Sequence, residues 1–193
     1  MNLLTPQDLL PAGAYELQRA EFRSQIIAIK QRRRISIGPL ITLVFENRET
    51  LRFQTQEMIR VEQILDSHKV QEELDVYNAL MPGSGELSAT LLIELTEQDR
   101  MKEWLDVLMG LDHGETVAIR AGTEQAFGLF EGGHSHETKI SAVHFVRFRP
   151  TASMIASFAD LHVPVALTVH HHVYHAEAPV PGSMREEWLK DLR

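Results

Sequence analysis

Cysteine is missing from all 193 residues of the chain. That absence excludes disulfides, thiolate zinc sites, cysteine-ligated iron–sulfur clusters and cysteine nucleophiles together. No run of about 18 apolar residues occurs, so no segment reads as a membrane span. Positive charge is in the minority, with 19 Lys and Arg against 27 Asp and Glu and a formal net charge of -8. A general nucleic-acid binder needs the opposite balance to neutralise phosphates. The opening MNLLTPQDLLP lacks a basic region followed by an apolar run, so no secretory signal is read and the cytoplasm is expected. Repeats with a period of about 20–50 residues and low-complexity tracts are also lacking. What is present is ordinary for a globular chain: 44% hydrophobic residues, 24% charged, and length enough for a single domain.

Helices and hairpins alternate along the chain. Thr5-Pro6-Gln7-Asp8 predicts a helix start, with Thr5 as cap and Pro6 in the first turn. Tyr15, Phe22, Ile26 and Ile29 predict a helix over about residues 14–33, with the basic run 30–34 (KQRRR) as its exposed last turn. Strands follow at 35–37 and 41–45, then a helix capped by Asn47. Another helix carries Val70, Leu74, Tyr77 and Met81 and stops at Pro82-Gly83-Ser84-Gly85. A strand is expected at 86–95, and a helix capped by Thr96 and Asp99 after it. A hairpin over 115–121 and 124–130, a loop at 131–137 and a strand at 139–149 come next. The last elements are a short helix at 151–161, one long strand at 163–175, and a C-terminal helix opened by a Ser183/Glu186 capping box. This order predicts an α+β fold with a mixed, mostly antiparallel sheet and about five helices.

Polar residues stand out where apolar ones are expected. Winding 45–62 as a helix gathers Leu51, Met58, Val61 and Leu65 on one face and puts Glu62 inside that stripe. A core-facing carboxylate is costly unless it is paired, hydrogen-bonded or metal-bound. Glu73 falls beside Leu74 and Tyr77 on the next helix, and His144 shares a strand face with Ala142, Val146 and Phe148. Glu62, Glu73 and His144 therefore form a candidate site for Fe, Mn or Zn, with Glu57 close by. The bland alternative is a set of buried ion pairs with Arg48, Arg52 or Arg60, and a core histidine bonded to a backbone carbonyl. Histidine is dense in two other places: His134 with His136, and the run 170–175, where His170 and His172 share one side of a strand. The bland reading there is a solvated edge strand. Glu86, Ser88 and Thr90 form a polar ladder that either binds a ligand or faces water. Ser88 lacks the Gly-x-Ser-x-Gly elbow, and the glycines match neither a phosphate loop nor a dinucleotide fingerprint.

Several segments together resemble a known family: 4–9 (LTPQDL), 30–34, 45–50 (FENRET), 56–62 (QEMIRVE), Tyr77-Asn78, 85–90 (GELSAT) and 140–145 (ISAVHF). Over almost its whole length the chain is similar to the bacterial domain-of-unknown-function family numbered 3501. The resemblance implies no assigned activity. Members tend to be encoded near rubrerythrin-like and iron–sulfur oxidoreductase proteins, which implies redox or peroxide-stress work by association alone. Glu57, Arg60, Glu62, Tyr77, Asn78, Glu86 and His144 lie in the matching segments. The triple histidine departs from the family pattern, which is acidic near His170 and has proline near His172, and the His134/His136 loop does not match it either. Two readings result: a metal-assisted or redox-associated protein, or a non-enzymatic accessory protein docking to an iron–sulfur or rubrerythrin-like partner. Anion binding by Arg32, Arg33, Arg34 and Arg48 is a remainder, and self-association into a homo-oligomer is left open.

Overall fold

The structure, a computed structural model, describes residues 2–94, 101–132 and 140–193, without the side chains of Met101 and Lys102. Its described elements make an α+β fold built on two antiparallel sheets. Strands β1 (Arg34–Ile37), β2 (Ile41–Glu46), β3 (Leu87–Ile93), β7 (Val143–Phe148) and β6 (Leu129–Phe130) lie side by side in the first. The second has the order β5 (Glu124–Phe127), β4 (Val117–Ala121), β8 (Val165–His171) and β9 (Tyr174–Pro179).

The two sheets meet at both edges. On one side β5 runs into β6 through Gly128, whose close approach leaves no room for a side chain: a Cβ there would lie 2.5 Å from Val146 Cγ2. On the other side the Tyr174 hydroxyl donates to the Ile37 carbonyl. Alternating residues of both sheets, among them Leu43, Phe45, Val146, Ile119 and Leu167, fill one core between them.

Helices cover what the sheets leave open. α1 (Ala12–Gln31), α2 (Arg48–Val61) and α3 (Ser67–Ala79) form a layer on the outer face of the first sheet. Leu51, Leu74, Leu80 and Met81 are buried there, with Phe145 of β7 packed against them. α5 (Ala152–Ala159) and α6 (Gly182–Asp191) close one end of the inter-sheet core, where Trp188 meets Phe45 at 4.7 Å and Phe158 at 5.3 Å. Beyond α4 (Met101–Val107), Leu108 and Leu111 are buried at the other end. No helix among the described residues is long and apolar enough to cross a membrane.

Several expectations need correction. The helix expected to start at Thr5 is only a 3-10 turn over Pro6–Asp8. The first long helix stops at Gln31, so the basic run is not an exposed last turn: Arg33 is 1% exposed and Arg34 begins β1. The strand expected over 124–130 breaks at Gly128, because its two halves pair in different sheets. The single strand expected over 163–175 is a hairpin, with His172 and Val173 at the turn and His171 paired to Tyr174. The C-terminal helix begins at Gly182 with Pro181 as cap, which puts Ser183 inside the helix and removes its capping role. Thr96, Asp99 and residues 133–139 lie outside the described residues.

Candidate functional site

The helix after β2 begins as its sequence suggests, with the Asn47 side chain accepting from the Thr50 backbone N–H at 3.0 Å. Its end does not. Gln63 adopts a left-handed conformation at φ 53, so the helix stops at Val61 and the apolar stripe never continues to Leu65. Glu62 therefore sits at the C-cap in solvent, while Val61 and Leu65 are 63% and 87% exposed. Glu73 is half-buried on α3, and burial first, then Glu62 and Glu72, push its carboxyl above the ordinary value. Tyr77 beside it is raised by burial and by Glu73, Glu46 and Glu62.

His144 does not join them. It shares its face of β7 with Val146 and Phe148, whose side chains belong to the inter-sheet core, whereas α2 and α3 cover the opposite face. The sheet itself thus separates the imidazole from the two carboxylates. Nε2 of His144 lies 2.7 Å from the Ser141 carbonyl, an acceptor only, so that nitrogen carries the proton; Nδ1 is 3.7 Å from Asp112 Oδ2. Among the described residues no group of three or more His, Asp or Glu is placed to hold a metal ion. His170 and His172 are exposed and do not share a strand, because His172 is in the turn; His170 faces His175 at 5.9 Å. His134 and His136 lie outside the described residues.

The remaining candidates are spent on holding segments together. Glu57 accepts from the Tyr15 hydroxyl at 2.6 Å and from Arg19 Nε and Nη2, both at 2.7 Å, which clamps α2 to α1. Arg60 lies 3.4 Å from Glu57 and 3.6 Å from Glu16. Arg48 reaches Asp8 at 2.6 Å, and the Asn78 amide bonds both backbone groups of Leu4, at 2.7 and 2.8 Å. Glu86 is buried, yet Arg149, the Gly83 N–H and Arg147 hold its carboxyl below the ordinary value. Arg147 also donates to the carbonyls of Ala79 and Met81 at the end of α3. Of the basic run, Arg32 and Arg33 pair with Glu187 and Arg34 with Glu94. Hydrogen bonds from Arg48 and Arg19 bring Asp8 and Glu57 down to about 2 from ordinary values of 3.8 and 4.5. A carboxyl lowered by folding stabilises the fold above its unfolded value and loses that contribution as pH falls through the folded one. Thermal stability is therefore expected to fall between about pH 5 and pH 2, and less steeply in Glu57→Gln; parallel melting curves across that range check it.

Of the acidic residues in 45–62, Glu46 and not Glu62 faces the covered interior. Glu46 is 2% exposed on the helix-covered face of β2 and accepts from Thr50 Oγ1 at 2.5 Å and Thr90 Oγ1 at 2.8 Å. Ser88 and Thr90 share that covered face, so their ladder faces neither water nor an open cleft. The signal was available in the alternation Ile41, Leu43, Phe45 against Thr42, Val44, Glu46, with Thr50 one helical turn on. Glu46→Gln keeps an acceptor and is expected to cost under about 1 kcal/mol, whereas Glu46→Leu takes the acceptor from the buried Thr90 hydroxyl, Thr50 Oγ1 keeping the Asn47 carbonyl at 3.0 Å, and should cost about 1–3 kcal/mol by urea denaturation.

One opening in the helical layer is apolar. A groove of about 710 Å³ lies between the 3-10 turn, the start of α1, the end of α2 and the start of α3. Leu9, Leu10, Ile59, Ile64, Leu65 and Val70 line it, with Arg60 and Glu16 at one wall. Gln56 holds one flank by bonding the Leu10 N–H at 2.8 Å and its carbonyl at 3.1 Å.

Fold and site together define an α+β protein whose two-sheet core is covered by a helical layer that carries an open groove. The model of the family described as "Protein of unknown function (DUF3501)" matches residues 3–192, and the chain belongs to that family. It is similar to a crystal structure of a novel protein of unknown function from Burkholderia pseudomallei, with 32% identity, a TM-score of 0.90 and 100% coverage of both chains. No curated protein matches.

Proposed function

We propose that this is a cytoplasmic, non-enzymatic accessory protein that acts by binding another protein. The observation that carries the reading is a contrast within one helical layer. Its strongest polar groups, Glu57, Arg48 and Asn78, are committed to partners in the same chain. The apolar groove beside them stays open. Groups that must polarise or protonate a substrate need access to it, and clamped ion pairs lack that access. The metal-assisted reading required Glu57, Glu62, Glu73 and His144 to converge; Glu57 is clamped to α1, Glu62 is in solvent and His144 is across the sheet.

Gene association within the family, which the resemblance implies, makes rubrerythrin-like and iron–sulfur oxidoreductase proteins the first partners to test. Purified protein mixed with each is expected to give a complex of defined mass by light scattering after size exclusion. Glu57→Gln should lower thermal stability and leave that complex intact. No complex with either partner, together with stoichiometric metal in untagged protein by elemental analysis, would overturn the reading.

A further inference from the structure

The second sheet carries a pair of imidazoles that the binding-protein reading does not use. In the hairpin of β8 and β9 the turn is His172-Val173, His171 pairs with Tyr174, and His170 pairs with His175. Bonded and non-bonded pairs alternate along an antiparallel ladder, and side chains come closest at the non-bonded ones. His170 stands at such a position: its backbone N–H turns away from β9 and donates at 2.7 Å to the Thr116 carbonyl just ahead of β4. Val165, Leu167 and Val169 face the core, so His170 and His175 project together from the outer face, and both are exposed. Their ring centroids are 5.9 Å apart.

The neighbouring histidines are not equivalent to them. His171 is buried, and its Nε2 lies 2.9 Å from the Met109 carbonyl, an acceptor only, so that nitrogen carries the proton. His172 is in the turn, with its ring 4.0 Å from that of His171. Across the ladder from His171, the Tyr174 hydroxyl donates to the Ile37 carbonyl. Both strands are thus pinned on their inner face one residue from the outer pair, which holds the two histidine backbones in register.

We propose that His170 and His175 together chelate one divalent transition-metal ion of the imidazole-preferring class, Zn(II), Ni(II) or Cu(II). The spacing fits such an ion. Two metal–nitrogen bonds of about 2.0–2.1 Å at a tetrahedral angle set the ligating nitrogens about 3.3 Å apart. Each ring nitrogen stands about 1 Å from its centroid, so rings 5.9 Å apart close on one ion by a small side-chain rotation. Among the described residues no group of three or more His, Asp or Glu is placed to hold a metal, so two protein ligands act and water takes the remaining positions. The ion is therefore exchangeable and held less tightly than in a closed four-ligand site. Hard ions such as Mg(II) prefer oxygen ligands and should not compete.

The probe is Ni(II), titrated by calorimetry into untagged protein freed of metal by dialysis against a chelator. The titration runs in a His134→Ala/His136→Ala background, because that His-x-His motif in the sequence offers two further imidazoles. One-site binding is expected, weakened at least about tenfold by His170→Ala and by His175→Ala, and unchanged by His172→Ala or by excess Mg(II). Zn(II) should shift two imidazole proton resonances together, the one lost in His170→Ala and the one lost in His175→Ala. Both side chains are exposed, so the variants should fold, which melting curves verify. Saturation only above about 1 mM, undiminished binding in either single variant, or an equal loss in His172→Ala would overturn the assignment. The pair lies across the core from the helical layer, so its failure leaves the binding-protein reading standing. Elemental analysis of His170→Ala protein keeps the two apart, since metal retained there is held at another site.

Discussion

Arg33→Met is expected to lower the free energy of unfolding by about 3–5 kcal/mol at neutral pH, the range for removing one member of a buried ion pair. Arg33 is 1% exposed in the link between α1 and β1. Its Nη1 lies 2.7 Å from Asp191, and its Nη2 lies 3.0 Å from both Asp191 and Glu187. The substitution would leave two nearly buried carboxylates on α6 without the guanidinium they share. Burial already pushes Asp191 upward despite Arg33, whereas Glu187 is held below its ordinary value by Lys190 and Arg33. Without Arg33 both should bind protons more readily folded than unfolded, so the deficit should shrink as pH drops below about 5. Urea denaturation at two pH values measures this. A loss under about 1 kcal/mol, or one independent of pH, would show that the pair does not hold α6 in place.

Trp188→Ala should cost about as much, roughly 3–5 kcal/mol, for a different reason. Trp188 is fully buried and contacts Phe45 from the first sheet and Phe158 from α5, so its ring fills the junction of three elements. Truncation leaves a cavity that rigid sheet residues cannot collapse into. The indole Nε1 is buried without a hydrogen-bond partner among the described residues, so Trp188→Phe removes a cost along with volume and should lose under about 1.5 kcal/mol. Urea unfolding of the two variants separates packing from polarity; equal losses would refute this account.

Local signals served well where they were complete. Asn47 marked a helix start correctly, and the alternation of Leu87, Ala89, Leu91 and Ile93 marked a strand that lies in the core. They failed where the deciding group was remote or carried no mark. Gln63 is an ordinary residue in a left-handed conformation, so helical periodicity ran past the true end and put Glu62 inside. His172-Val173 lacks the glycine, asparagine or aspartate that usually announces a tight turn, so two strands were read as one.

By itself the sequence determined the chemistry that is excluded, the α+β class, the family pattern and most element positions. These depend on composition or on neighbours within a turn or two of chain. Only the tertiary structure decided that Glu46 meets Thr90, that Arg33 meets α6, that a sheet stands between His144 and Glu73, and that the helical layer keeps a groove. Burial and pairing are set by what folds back from far along the chain: 158 residues separate Arg33 from Asp191, and 44 separate Glu46 from Thr90. A local period names the face a residue occupies, and the distant segment that lands there decides whether that face meets water.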